Sequence, residues 1–433
     1  MTSTIIDYKK YYLTSLVLLF SFSIILAQEQ KSTLKVYFNP IDYDYWWLQK
    51  NNYGKSIISK EIEYEWYLKK SKTTYKINLS NAYKENEKPD FGESFIKHNF
   101  SEKTFLRVGK YYRDFSQYLN DNLSSGSMLI SKNTQAMPKI GLVTSQNIIK
   151  KNQGITFNFG IAHGAFSKDN YYTKAPFLHE KFIYIHVEKD NYQISFGFVH
   201  EAMWGGATSG EEEWPLKKSS NLWKDFLKIL IAGDGPLNDD PPPANSIGNH
   251  LGIWDFSYQK KYNNQILKLY YQHFFEDTSS LRFRNEIDGL WGAELTNYIP
   301  NTTILLEYLD TTNSFLDPPY QSDIYYGNYQ YRLGWKYGNN IIGNPFVNTS
   351  WDPINNSGDV EFTKLFHIGI SGEISSNYYE LKASKKINMN DTIRYKIKIG
   401  KIVKDKFDFN IFIVNNEETN GLGISISYFA KNF

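Results

Sequence analysis

Hydrophobic and polar residues alternate along most of this chain. Ile62, Tyr64, Trp66 and Leu68 alternate with Glu61, Glu63, Glu65 and Tyr67, and Tyr75, Ile77 and Leu79 with Lys76, Asn78 and Ser80. Near the C-terminus Ile393, Tyr395, Ile397 and Ile399 alternate with Arg394, Lys396 and Lys398, and Phe407, Phe409, Ile411 and Ile413 follow in the same way. Successive side chains of a strand point to opposite faces, so each such segment has one apolar and one polar face. Similar stretches begin near residues 57, 73, 104, 126, 138, 154, 181, 192, 250, 264, 289, 302, 328, 362, 376, 391, 406 and 421. Short turns such as Tyr262-Asn263-Asn264 and Ser375-Ser376-Asn377, or long loops, connect them.

The stretch from Ser195 to Tyr258 departs from this pattern. It opens in a strand, Gln193 to Val199, passes His200, Trp204 and the Gly205-Gly206 pair, and reaches an acidic turn at Glu211, Glu212 and Glu213. The spacing of Leu222, Trp223, Phe226, Leu227 and Leu230 against Asn221, Lys224, Asp225 and Lys228 predicts an amphipathic helix over 220–232, capped by Ser219 or Ser220 and ended by Gly233. Pro241, Pro242 and Pro243 forbid regular structure until a strand starts near His250. A helical insertion at about 207–248 therefore sits between two strands; it caps a mouth or lies at headgroup level.

Two architectures use alternation on this scale. A soluble sandwich, propeller or β-helix hides the apolar faces inside, whereas a transmembrane barrel turns them to lipid and keeps a polar lumen. Long strands ending in aromatics, short turns alternating with long loops, and a last strand from Gly421 to Phe433 favour the barrel. The fold expected is all-β: an outer-membrane β-barrel of about 18 antiparallel strands with a short helical insertion. The terminal Phe433 is out of phase with Ile424, Ile426 and Tyr428, which predicts a bulge near Ala430.

Residues 1–27 read as a signal peptide: Lys9 and Lys10 form a basic start, Leu13 to Leu26 an apolar run, and Ala27 a small residue before Gln28. The run is shorter than the roughly 20 residues a spanning helix needs. Residues 28–433 then form a single barrel domain. With 48 Lys+Arg against 46 Asp+Glu the chain has no polyanion-binding charge excess, so no nucleic-acid partner is expected. The absence of cysteine excludes disulfides, a lipidated thiol and thiol chemistry. Aromatics make up 17% of the residues, 34 of them Tyr, a composition suited to membrane-interface girdles and to sugar-contacting surfaces.

Catalytic signals are weak. His200-Glu201 lacks the second His that a zinc-protease helix carries, since position 204 is Trp. Glu211 to Glu213 have neither the spaced oxygens of a calcium loop nor the opposed carboxyls of a glycosidase, and read as a solvated loop. No metal, cofactor or catalytic residue is assigned. Trp204 beside Gly205 and Gly206 offers a flat ring to a sugar or forms a structural turn. If strands 193–206 and 249–258 pair, His250 and Trp254 share a face and meet His200 and Trp204, as a binding site or as a lumen-facing network; Asp255 takes the other face. Loops 311–327 and 338–360, with Phe315, Tyr320, Tyr325, Tyr326, Phe346 and Trp351 among Asn and Asp, have the composition of a carbohydrate-facing surface. The binding candidates are thus His200, Trp204, His250, Trp254, Asp255, Tyr325, Tyr326 and Trp351.

Three segments carry a resemblance. GFVHEAMWGG at 197–206, GSMLISKNTQAMPKIGL at 126–142 and NHLGIWDFSY at 249–258 are similar to motifs of the capsule assembly protein Wzi family, and agree in order and in the proline-rich interval between strands. The resemblance implies an eighteen-stranded outer-membrane barrel that binds capsular or extracellular polysaccharide like a lectin and helps assemble or retain it, without enzymatic activity. Outer-membrane lipid and the barrel assembly machinery follow as partners. The family's founding type carries a helical segment ahead of its first strand, and this chain shows strand pattern there instead. The competing class is a passive pore without polymer affinity.

Overall fold

The computed structural model describes residues 29–38, 45–55, 60–82, 90–148, 153–168, 171–209, 216, 222–231, 247–276, 278–314, 324–328, 330–347, 349–352, 357–415 and 419–432. Eighteen antiparallel strands close into one barrel. They are β1 (Glu29–Phe38), β2 (Lys60–Lys70), β3 (Thr73–Ala82), β4 (Ser94–Asn99), β5 (Thr104–Tyr111) and β6 (Met137–Asn147). Next come β7 (Gln153–Ala165), β8 (Phe177–Lys189), β9 (Tyr192–Trp204), β10 (Asn249–Tyr262), β11 (Gln265–Phe275) and β12 (Gly289–Thr296). The last six are β13 (Thr302–Asp310), β14 (Lys364–Ile374), β15 (Asn377–Lys386), β16 (Arg394–Val403), β17 (Phe407–Asn415) and β18 (Asn420–Asn432). Each strand pairs with its neighbour in sequence, and β18 pairs with β1 to shut the sheet.

At the end where β1 begins and β18 finishes every connection is short, and the long connections all lie at the other end, which also holds the four-residue link between β17 and β18. Ser375 and Ser376 (φ 49° and 68°) and Lys404 and Asp405 (φ 53° for both) take left-handed backbone, the geometry that matches the twist of a tight hairpin. Among the described residues three short helices sit at the long-loop end, α1 (Trp46–Gln49), α2 (Leu222–Leu230) and α3 (Thr278–Leu281).

Burial is the inverse of a soluble sheet. Ile399, Ile411, Leu422 and Ile424 are exposed on the outer wall, while Glu63, Glu180, Glu201, Asp255, Gln272 and Glu307 are buried inside. This is the arrangement that lipid outside and a polar lumen inside select.

Two of the expected strands are not in the wall. The stretches near 126 and 328 belong to connections that fold back into the lumen, and their places in the barrel are taken by β1 and by the six-residue β4. Residues 112–136, between β5 and β6, and 324–328 with 330–347, between β13 and β14, together form a plug. Leu123, Met128, Leu129 and Ile130 share its apolar core with Tyr325, Tyr326, Trp335, Ile342 and Phe346. The Ser131 amide donates to the Ile342 carbonyl (2.8 Å), and the Asn133 and Asn344 side chains donate to the carbonyls of Ile341 (2.8 Å) and Gly126 (2.7 Å). Gly126 has φ 127°, and a Cβ there would meet Pro345 Cδ at 2.9 Å.

The register between β18 and β1 runs unbroken from Ile424↔Phe38 to Asn432↔Gln30, so the bulge expected near Ala430 is absent. The signal segment, Glu211 to Glu213, the caps expected at Ser219, Ser220 and Gly233, the proline run and Phe433 lie outside the described residues.

Candidate functional site

Strands β9 and β10 pair as the sequence suggests, with Ala202 opposite His250 and Phe198 opposite Trp254. His200 Nε2 and His250 Nδ1 lie 2.9 Å apart. Phe198, His200, Trp204, His250 and Trp254 therefore share a face, and it is the outer one: Ile183, Ile185, Phe196, Phe198 and Trp254 line an apolar hollow on the lipid side. Trp254 packs on Phe198 at 4.9 Å and its Nε1 donates to the Leu281 carbonyl (3.1 Å), anchoring α3. His200 and Glu201 point to opposite sides of the sheet, and no group of three or more metal-ligating side chains occurs among the described residues.

The insertion covers the upper part of this face. Helix α2 lies against the outer wall, not across the mouth: Phe226 sits 5.8 Å from Trp204 and 4.8 Å from His163, Ile229 is fully buried, and Lys181 Nζ donates to the Leu230 carbonyl. Trp223 (68% exposed) and Leu227 (47%), expected on the docked face, point away from the barrel instead. Apolar residues on both sides suit a helix wedged between a wall and lipid. Gly205 and Gly206, at φ 64° and 81°, turn the chain out of β9 at the foot of the insertion.

Asp255 faces inward and holds the plug. Its carboxylate accepts from Ser116 Oγ (2.5 Å), Tyr184 OH (2.5 Å) and Tyr118 OH. Beside it Gln272 accepts from the Met128 amide (3.0 Å) and donates to Ser116 Oγ (3.0 Å), and Glu307 accepts from Ser124 Oγ and the Ser125 amide, both at 2.7 Å. His367 Nε2 meets the Leu123 carbonyl at 2.6 Å. Strands β8, β10, β11, β13 and β14 thus each present a polar group to one loop, satisfying backbone that has no sheet partner of its own. Ser116, Tyr118, Tyr184, Gln272 and Glu307 were not legible as a set, because the plug loop and the three strands that carry them are far apart in sequence.

Tyr325 and Tyr326 are plug residues, 2% and 1% exposed. Tyr325 OH donates to Asp288 (2.6 Å) and Tyr326 OH to the Met128 carbonyl. Burial pushes the Asp288 carboxyl up to about 7, against the pull of the Tyr325 and Asn313 hydrogen bonds. Trp351 lies in a small ribbon, Thr349–Asp352 paired with Ser357–Val360, and its side chain and those of 353–360 lie outside the described residues, as do Phe315 and Tyr320.

At the long-loop mouth α1, the ribbon around 336–341 and the strand ends at 386 and 394 surround a pocket of about 300 Å³. Trp46 and Phe346 stack at 4.0 Å on one side of it. Lys50, Lys336, Lys386 and Arg394 contribute cations and Asn133 and Asn339 amides, with Glu361 as the one lining carboxylate. Lys50 Nζ donates to Asn340 (2.8 Å); burial and the nearby Lys336 charge lower its affinity for a proton. Rings for apolar faces and amides and cations for oxygens are the groups a polyhydroxylated ligand requires. Trp46 and Lys50 carried no recognisable signal, since the pocket joins four loops.

A polar-lumen barrel partly filled by two of its own connections is a plugged barrel of the outer-membrane class. Residues 51–351 match the family described as capsule assembly protein Wzi, and this chain belongs to that family. It is accordingly a multi-pass β-barrel of the outer membrane. No curated protein matches the chain. Among solved structures it is similar to Pseudomonas aeruginosa OpdO (11% identity, 94% of this chain and 99% of that one, TM-score 0.45). It is also similar to Acinetobacter baumannii OccAB4 (11%, 93% and 98%, 0.43) and to a mutant of Rh. blastica porin (7%, 93% and 99%, 0.40).

Proposed function

We propose that this protein binds capsular or extracellular polysaccharide at its long-loop mouth and helps assemble or retain the polymer on the cell surface, as a binding protein without catalysis. The observation that carries the reading is the Trp46–Lys50–Lys336–Arg394 pocket at the long-loop mouth, which combines a ring face with cations and amides. Membership of the capsule assembly family supplies the setting. One pocket holds one or two sugar rings weakly, and many barrels along one chain multiply weak contacts into retention. The candidates read from the sequence act at a distance in this proposal: Asp255, Tyr325 and Tyr326 hold the plug that forms the floor of the mouth, and His200, Trp204, His250 and Trp254 seat the insertion and α3 beside it.

The test is retention of the detergent-purified protein on the host's own surface polysaccharide. Wild type is expected to bind and a folded Trp46→Ala, Lys50→Ala protein to bind at least tenfold more weakly; equal retention of the two removes the pocket from the proposal, and failure of wild type to bind overturns it.

A further inference from the structure

The plug fills the lumen beside β6 to β14 and leaves the other side hollow. A cavity of about 440 Å³ lies against β1 to β3 and β15 to β18. One end is lined by the loop residues Tyr53, Lys55 and Lys132. The other is lined by Tyr378, the second residue of β15, and by Asp408, the second residue of β17, with Ser427 directly opposite Asp408. These lie next to the short turns, so the cavity runs most of the height of the wall.

Its two sides differ in charge. On β2 the carboxylates are neutralised: Lys55 lies 2.9 Å from both Glu61 and Glu63, and Lys76 3.2 Å from Glu65. Across the hollow, Lys396 on β16 lines the cavity; Lys382 on β15 is its direct register partner on the same lumen face, but lies outside the lining. Glu380, the nearest carboxylate on that face, is engaged by Lys398 at 2.9 Å. Neither Lys382 nor Lys396 makes an ion pair among the described residues; their ammonium groups lie 4.5 Å from the Trp47 ring and 5.1 Å from the Phe412 ring. Lys382 is only 8% exposed. Like charges placed opposite each other destabilise a sheet, and a shielded cation without a counter-charge is costly. A mobile anion removes both penalties.

We propose that this hollow is a narrow path for small inorganic anions such as chloride, running beside the plug, with Lys396 as the residue that selects the sign of charge. The β2 carboxylates are paired with lysines and Asp408, at the short-turn end, accepts from the Tyr378 hydroxyl (2.7 Å), so the unpaired Lys396 ammonium sets the preference midway along the path, as lysines do in anion pores. The path is independent of polymer binding at the mouth and does not require the plug to move.

The experiment is planar-bilayer recording of the full-length, gel-verified folded protein in potassium chloride. Small, steady steps are expected, with a reversal potential under a salt gradient of the sign that chloride permeation gives. Lys396→Met, which keeps the apolar stem and removes the charge, should lower the chloride-to-potassium permeability ratio several-fold, and Lys396→Glu should reverse the preference. Should the glutamate variant fail to fold, the methionine variant decides. The proposal is overturned by folded protein with no current above the bare bilayer, by a cation preference in wild type, or by a ratio that Lys396→Met leaves unchanged. Current appearing only after the plug is untethered would also overturn it, because it would route ions through the plug.

Discussion

Ser116 Oγ donates to Asp255 across 2.5 Å, although 139 residues separate the two in the chain. The bond joins the plug to the wall, and Tyr118 from the plug and Tyr184 from β8 converge on the same carboxylate. Asp255→Ala leaves three hydroxyls without their acceptor in a buried site, and hydrogen bonds to a charged group contribute about 1.5–3 kcal/mol each. The expected protein is still a barrel, but its folded band converts to the unfolded one at a lower temperature in SDS gels, and large current steps from plug opening appear in bilayers. A variant indistinguishable from wild type in both would show that Asp255 is not the tether.

Trp204 is the part of the wall on which Phe226 of α2 rests. In Trp204→Ala the helix loses that support, and trypsin should cut at the exposed Lys224 far faster than in wild type while the folded barrel band persists. Unchanged protection means that Ile229 and the Lys181 contact are enough to hold the helix.

Asp288 provides a pH handle at the long-loop end. Its carboxyl titrates at about 7 in the folded protein and near its ordinary 3.8 when unfolded. The folded state therefore binds the extra proton between these values, and stability rises as pH falls from 8 towards 4. The temperature at which the plug loosens, read by protease access to the loop at 324–328, is expected to be higher at pH 5.5 than at pH 8. Asp288→Asn should flatten this dependence.

Loss of one stacking ring typically weakens ligand binding by roughly 1–3 kcal/mol, on the analogy of nucleobase platforms. Trp46→Ala should reduce polymer retention by that order, whereas Trp254→Ala, whose ring faces lipid, should lower barrel yield and leave retention per folded molecule unchanged. Measuring yield and retention on the same preparations distinguishes the two.

Most of the barrel was readable because lipid outside and water inside impose alternation on each wall strand. The readings near 126 and 328 failed for a related reason: apolar residues such as Leu129 and Ile342 belong to one buried core inside the lumen, so their pattern mimics a strand with one greasy face. β4 escaped notice because Phe95 and Ile96 stand side by side within only six residues. For the candidate site, period 2 placed His200, Trp204, His250 and Trp254 together but not on an inner or outer face. The aromatic neighbours Phe196 and Phe198 carried that information, since lumen positions on the same strands are Glu201 and Asp255. Plug contacts such as Leu123 to His367 leave no trace in local pattern.

The hollow side of the lumen bears on how the barrel is made. Leu123 waits for a partner 244 residues further along, so the plug is incomplete until β14 has been added, and non-local contacts of that kind fold slowly. From β15 onward the new strands border the hollow, and the seam between β18 and β1 closes over it. The hairpins β15–β16 and β17–β18 pair through contacts close in sequence, so they are expected to zip into register faster than the plug finds its distant partners.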